Sequence, residues 1–144
     1  MRSMWEAVIK ILHFTDPHFC TVGPISRTDD YTETIFRKLD EIRSIDKKEQ
    51  CDFITISGDF FHLKPWYKNP YSLTNRLIDY FNSLDAKVYG IFGDHDVPDR
   101  QQDSLKKQPL STLVKSAGIY LISKGEKVPL GEDVWLTGSP KTND

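Results

Sequence analysis

Three short apolar runs, residues 8–14, 53–57 and 87–92, are separated by segments in which apolar residues return at helical spacing. Runs of this length, rich in Val, Ile and Phe, fit strands of a parallel sheet, with a helix carrying the chain back between one strand and the next. Tyr31, Ile35, Leu39 and Ile42 share one helical face, and Asp30 followed by Glu33 has capping-box spacing, so a helix is expected over 31–48. Leu73, Leu77, Tyr80, Phe81 and Leu84 mark a second helix over 71–84. A third runs from Pro109, a residue suited to the first helical turn, to Ala117 just before Gly118. Beyond it, residues 119–123, 127–130 and 134–137 read as short strands joined by glycine-containing turns. This order predicts an α/β layered sandwich, a mixed, mainly parallel sheet flanked by helices, with the parallel part in the N-terminal half.

A chain of 144 residues can close one core without disulfide staples. Nineteen basic and 21 acidic residues leave a net charge of −2, so no global positive field gathers nucleic acid or anionic membrane, and any polyanion contact must be local. Cys20 and Cys51 have no CxxC spacing, which fits a reducing, cytoplasmic compartment. The opening run is interrupted by Lys10 and bordered by Glu6 and His13, so it is expected to be a strand rather than a signal peptide. No window approaches the roughly 18 consecutive apolar residues of a membrane span.

In open α/β sheets, ligands bind off the carboxyl ends of the strands. Those ends carry Asp16-Pro17-His18, then Gly58-Asp59-Phe60-Phe61-His62, then Gly93-Asp94-His95-Asp96. Four acids and three of the chain's four histidines therefore meet on one edge. His13, the fourth, lies within the first strand and is expected to be packed and satisfied there. Carboxylates crowded into a partly desolvated cleft repel one another, so the cluster implies a cation. Mixed imidazole and carboxylate donors suit Mn, Fe or Zn, whereas Mg prefers oxygen. Asp59, on the central strand, is placed to bridge two ions about 3.5–4 Å apart, the arrangement used for phosphoryl transfer. Asp-x-His or Gly-Asp alone is common in loops, but all three motifs in order, each after an apolar strand, are hard to obtain by chance.

Residues 8–98 resemble the N-terminal part of the calcineurin-like metallophosphoesterases, whose pattern is DxH, GDxx, GNH(D/E), a later lone His and GHxH. Within that family, Phe60-Phe61-His62 and the approach Val88-Tyr89-Gly90-Ile91-Phe92-Gly93 are most similar to the exonucleases of DNA double-strand-break repair. The resemblance implies that Asp16 and His18 hold one metal, Asp59 bridges two, and Asp94 holds the other. It also implies that His95 is the general acid for the leaving oxygen, that Asp96 orients its ring, and that His62 positions phosphate or the nucleic-acid strand. The cofactors it implies are two divalent ions, Mn foremost, with Mg, Fe and Zn as alternatives. Implied partners are DNA, a second copy of the chain in a homodimer, and a coiled-coil ATPase subunit, with no membrane. Two departures bear on activity. Asp94 stands where the family has Asn, and neither the later lone His nor GHxH is present, so the second metal position is incomplete. Residues 1–144 are accordingly expected to be the N-terminal part of a longer nuclease domain.

No acid lies between Asp59 and Asp79, while His62, Lys64, Lys68 and Arg76 interleave with Trp66, Tyr67 and Tyr71. Lys64 and Lys68 are candidate phosphate contacts, with an aromatic ring stacking a base. The alternative is that Trp66 and Tyr67 pack a long loop and the cations are merely solvated. Leu73, Leu77, Tyr80 and Phe81 serve either a homodimer or the chain's own core. Cys20, two residues past His18, is expected to be a buried or idle thiol rather than a soft ligand. The expected function is a metal-dependent DNA nuclease. The alternatives are a metallophosphoesterase acting on nucleotides or phosphomonoesters, and a catalytically silent metal-binding or dimerisation fragment.

Overall fold

In a computed structural model of the protein, which describes residues 8–97, 99 and 101–140, the three apolar runs become β1 (Ile11–Phe14), β2 (Phe53–Ser57) and β3 (Lys87–Ile91). They are joined by α1 (Tyr31–Glu49) and α2 (Tyr71–Asn82), and α3 (Pro109–Ala117) then leads to β4 (Tyr120–Leu121). The four strands pair in the order β1-β2-β3-β4, every pair parallel. β5 (Lys127–Gly131) and β6 (Val134–Thr137) form a separate antiparallel hairpin. The mixed character expected from the sequence thus resides in two sheets rather than one.

Local chemistry sets the ends of these elements. The Asp30 carboxylate accepts the Glu33 amide at 3.1 Å and starts α1, while α3 stops where Gly118 takes φ +66°. α2 ends two residues before its expected limit because the Ser83 hydroxyl donates to the Tyr80 carbonyl at 2.6 Å. β1 begins at Ile11 rather than at residue 8. Just before it, the Lys10 amide donates to the Asp52 carboxylate at 2.8 Å, a side-chain partner in place of a ladder partner.

The monotone strand order decides where the layers go. Right-handed crossovers that always step in the same direction deposit every helix on the same face of the sheet. Ile54, Ile56 and Val88 on that face pack with Ile35, Phe36 and Leu39 of α1, with Leu73, Leu77, Tyr80 and Phe81 of α2, and with Leu110 and Leu113 of α3. The apolar face of α2 is therefore buried within its own chain, which removes it as a homodimer surface. The opposite face is covered only in part, where Val128, Leu130 and Leu136 of the hairpin meet Phe53, Tyr89, Ile91 and Ile122. Ile11 remains 45% exposed there. His13 points to this face and is exposed, not packed, because no layer among the described residues covers the edge strand there. Its Nδ1 lies 2.8 Å from the Thr55 hydroxyl.

Candidate active site

The three strand-end motifs occupy tight turns. Asp16, His18 and Asp59 all lie in the left-handed region, at φ +49°, +47° and +46°, beside Gly58 at +91°. Among the described residues the other non-glycine positions with positive φ are Gln50, at the end of α1, and Asp133, between β5 and β6. Left-handed backbone costs roughly 1–2 kcal/mol for a residue with a side chain. Concentrating it at one strand edge is characteristic of a functional site.

Backbone pairing resumes beyond these turns. The His18 amide donates to the Asp59 carbonyl at 3.0 Å, Phe19 to Phe60 at 2.6 Å and His62 to Phe19 at 3.2 Å. The buried rings of Phe19, Phe60 and Phe61 root this isolated parallel bridge, Phe19 to Phe61, in the core. The third loop closes against the second only because residue 93 is glycine: a Cβ there would sit 2.1 Å from Asp59 Oδ1. The His95 amide then reaches that same oxygen at 2.9 Å.

Asp96 ties the loops together. Its side chain is almost wholly buried, and its two oxygens accept the amides of Phe61 at 3.0 Å, Phe60 at 3.2 Å and Gly93 at 2.8 Å. Burial pushes its pKa up to about 6, against the opposing pull of the three amides. The expectation that Asp96 orients the His95 ring is corrected here. The His62 backbone carbonyl does so, 2.7 Å from His95 Nδ1, and Asp96 braces the backbone.

Two groups of donors result. Asp16, His18 and Asp59 hold ligand atoms within 4.8 Å of one another, and so do His18, His62 and His95. His18 belongs to both. The imidazoles of His62 and His95 stack at 15° with centroids 5.4 Å apart, and His18 stands edge-on to each. Desolvation, then the neighbouring His18 and His95, hold the His62 pKa below its ordinary value. The first group, two carboxylates and an imidazole, has the donor chemistry of a divalent-cation site and fits the metal inferred from the motifs. Asp94, half-buried in the turn after β3, belongs to neither group.

The basic and aromatic stretch faces solvent. Trp66 and Tyr67 are 62% and 69% exposed, so they do not fill a loop core. The loop is held instead by Asn69, whose amide donates to the carbonyls of Leu63 at 2.8 Å and Pro65 at 3.0 Å. Lys68 is exposed and Lys64 half-buried. Arg76 is engaged elsewhere: it forms a two-pronged pair with Glu33 and lies 3.8 Å over the Phe36 ring. Cys20 is buried, as expected. What sequence reasoning missed is backbone: the amides of Phe60, Phe61 and Gly93 and the carbonyl of His62. Gly93, two residues past β3, was the one visible signal of close backbone approach. Among the described residues no helix is long and apolar enough to cross a membrane.

Comparison with known proteins extends the motif resemblance along the chain. SbcD, a component of the nuclease SbcCD of Bacillus subtilis (strain 168), is 31% identical over 138 residues, which cover 90% of this chain and 31% of that protein's length. The model of the calcineurin-like phosphoesterase family matches residues 9–140, from the approach to β1 to just beyond β6. All three strand-end motifs fall inside that match, on the sheet edge where their side chains converge, and the chain belongs to the calcineurin-like phosphoesterase family.

Proposed function

We propose that the protein is a metal-dependent DNA nuclease acting by phosphodiester hydrolysis. The observation that carries this reading is the convergence of Asp16, His18 and Asp59 within 4.8 Å beside His95. Asp16, His18 and Asp59 would hold the first divalent ion, Mn foremost, which supplies charge neutralisation and Lewis acidity toward a phosphate oxygen. Asp94 would serve a second ion position that these residues leave incomplete.

The surroundings of each side chain support the remaining roles. Asp59 has Oδ1 pinned by the His95 amide at 2.9 Å, which turns Oδ2 toward His18. His95 is held through Nδ1, so its Nε2 is free to pass a proton to the leaving oxygen. His62, stacked on His95, positions the phosphate. Lys64 and Lys68 contact the backbone of the nucleic acid, and exposed Trp66 or Tyr67 stacks a base. Support for nuclease over phosphomonoesterase comes from this exposed stretch and from the relative's name, which makes it one part of a nuclease. A coiled-coil ATPase subunit as partner belongs to the same reading. So does a cytoplasmic setting, which the free thiols of Cys20 and Cys51 suit. The chain is proposed to be the N-terminal part of a longer catalytic domain. A second reading, a metal-binding module without turnover, is favoured by the position of Asp94 outside both donor groups.

The test is Mn-dependent cleavage of linear duplex DNA by wild type and His95→Ala, with Mn uptake measured alongside. Expected are intact uptake and a loss of about 10²–10⁴-fold in cleavage for the variant. Preferential turnover of a phosphomonoester would overturn the nuclease reading. Uptake without any cleavage by wild type selects the silent module.

A further inference from the structure

We infer that His18, His62 and His95 form a second metal site, selective for a borderline ion such as Zn2+, and that this site and the Asp16/His18/Asp59 site exclude one another through the tautomer of His18. The three imidazoles each present a nitrogen within 4.8 Å of the others. His18 Nδ1 and His62 Nδ1 are 3.3 Å apart, close to the edge of a tetrahedron of metal–nitrogen bonds of about 2.0–2.1 Å. The third ring is already set: His95 Nδ1 faces the His62 carbonyl at 2.7 Å, the outer-shell contact that fixes the tautomer of metal-bound histidines and leaves Nε2 as the ligand. Three neutral nitrogens with a fourth position open to solvent suit Zn2+, Co2+ or Ni2+ far better than the oxygen-seeking Mn2+ and Mg2+.

His18 couples the two sites because its two nitrogens face different partners. Nδ1 faces His62, while Nε2 lies 3.8 Å from Asp59 Oδ2. A neutral imidazole has one in-plane lone pair and carries its hydrogen on the other nitrogen. With the lone pair on Nε2, His18 joins Asp16 and Asp59, and its Nδ1–H points at His62. With the lone pair on Nδ1, it joins His62 and His95, and its Nε2–H points at the Asp59 carboxylate. One ring cannot serve both ions. An ion on the imidazoles also withdraws His62 and His95 from substrate, so the triad is an inhibitory site. The inhibition rests on the role proposed above for His95; the binding does not.

The test is metal binding by the 144-residue chain, read as Zn2+ uptake by equilibrium dialysis and bound Mn2+ by electron paramagnetic resonance, in wild type, His62→Ala and Asp16→Asn. The His62 side chain is exposed, so its removal leaves the fold in place, which circular dichroism verifies. Wild type is expected to take one ion per chain, with Zn2+ displacing Mn2+. His62→Ala is expected to lose about 100-fold in Zn2+ affinity with Mn2+ affinity within threefold, and Asp16→Asn to show the converse. Zn2+ affinity unchanged in His62→Ala overturns the triad, and simultaneous uptake of Zn2+ and Mn2+ overturns the exclusion. Zn2+ uptake without Mn2+ uptake in wild type overturns the carboxylate site of the proposed function and the exclusion, leaving the triad standing.

Discussion

The two faces of the four-stranded sheet have opposite fates. On one, three helices bury Ile54, Ile56 and Val88 in a continuous core. On the other, a two-stranded hairpin covers Tyr89 and Ile122 while Ile11 and His13 stay in solvent. Both faces belong to the same strands, so residue type alone does not account for the difference. Strand order does: stepping always in one direction with right-handed crossovers sends every helix to the same side. Stability in this chain should therefore be concentrated on one face, with the strand-end site at the edge where the two meet.

The largest effect is expected from Phe60→Ala, which empties a fully buried position on the helical side and costs about 3–5 kcal/mol in denaturant unfolding. A loss below about 1 kcal/mol would mean that the helical face is not the main source of stability.

At the edge, Asp96 gives an intermediate effect that depends on pH. Its folded pKa, about 6, lies above the ordinary 3.8, so the folded state holds a proton that the unfolded chain has released. Stability from this group is fully present below about pH 4 and declines as pH rises to about 6, by up to about 3 kcal/mol. Unfolding free energies measured across this range should show that decline in wild type and not in Asp96→Asn; parallel curves would contradict it.

The smallest effect is expected on the open face. Ile11→Thr keeps β-branching at a half-exposed edge position and should shift stability by no more than about 0.5 kcal/mol. A shift comparable to that of Phe60→Ala would show that this face is as tightly packed as the other.

Most of this architecture was legible in the sequence, because hydrophobic period and punctuation agree. β2 and α3 fall on their expected limits, and the three strand-end motifs meet where a parallel sheet must bring them. Non-local partners were not legible. A strand interior usually packs its residues, yet an edge strand on an uncovered face leaves His13 in solvent. Arg76 stands among the candidate cations in sequence, but Glu33, 43 positions away, holds it. The bracing role of Asp96 was hidden because its partners are backbone amides, which every residue but proline carries and no motif announces.

That bracing carboxylate has a consequence for recruitment of an ion. By gripping amides of both the second and the third loop, Asp96 makes the two segments move as one rigid piece, and the first loop is stitched to the second by its own backbone bonds. An arriving cation meets donors already gathered, with the conformational entropy of assembling them spent during folding rather than at capture. Occupancy should then be governed by shedding of the ion's own hydration shell, and apo and loaded forms should share one loop arrangement.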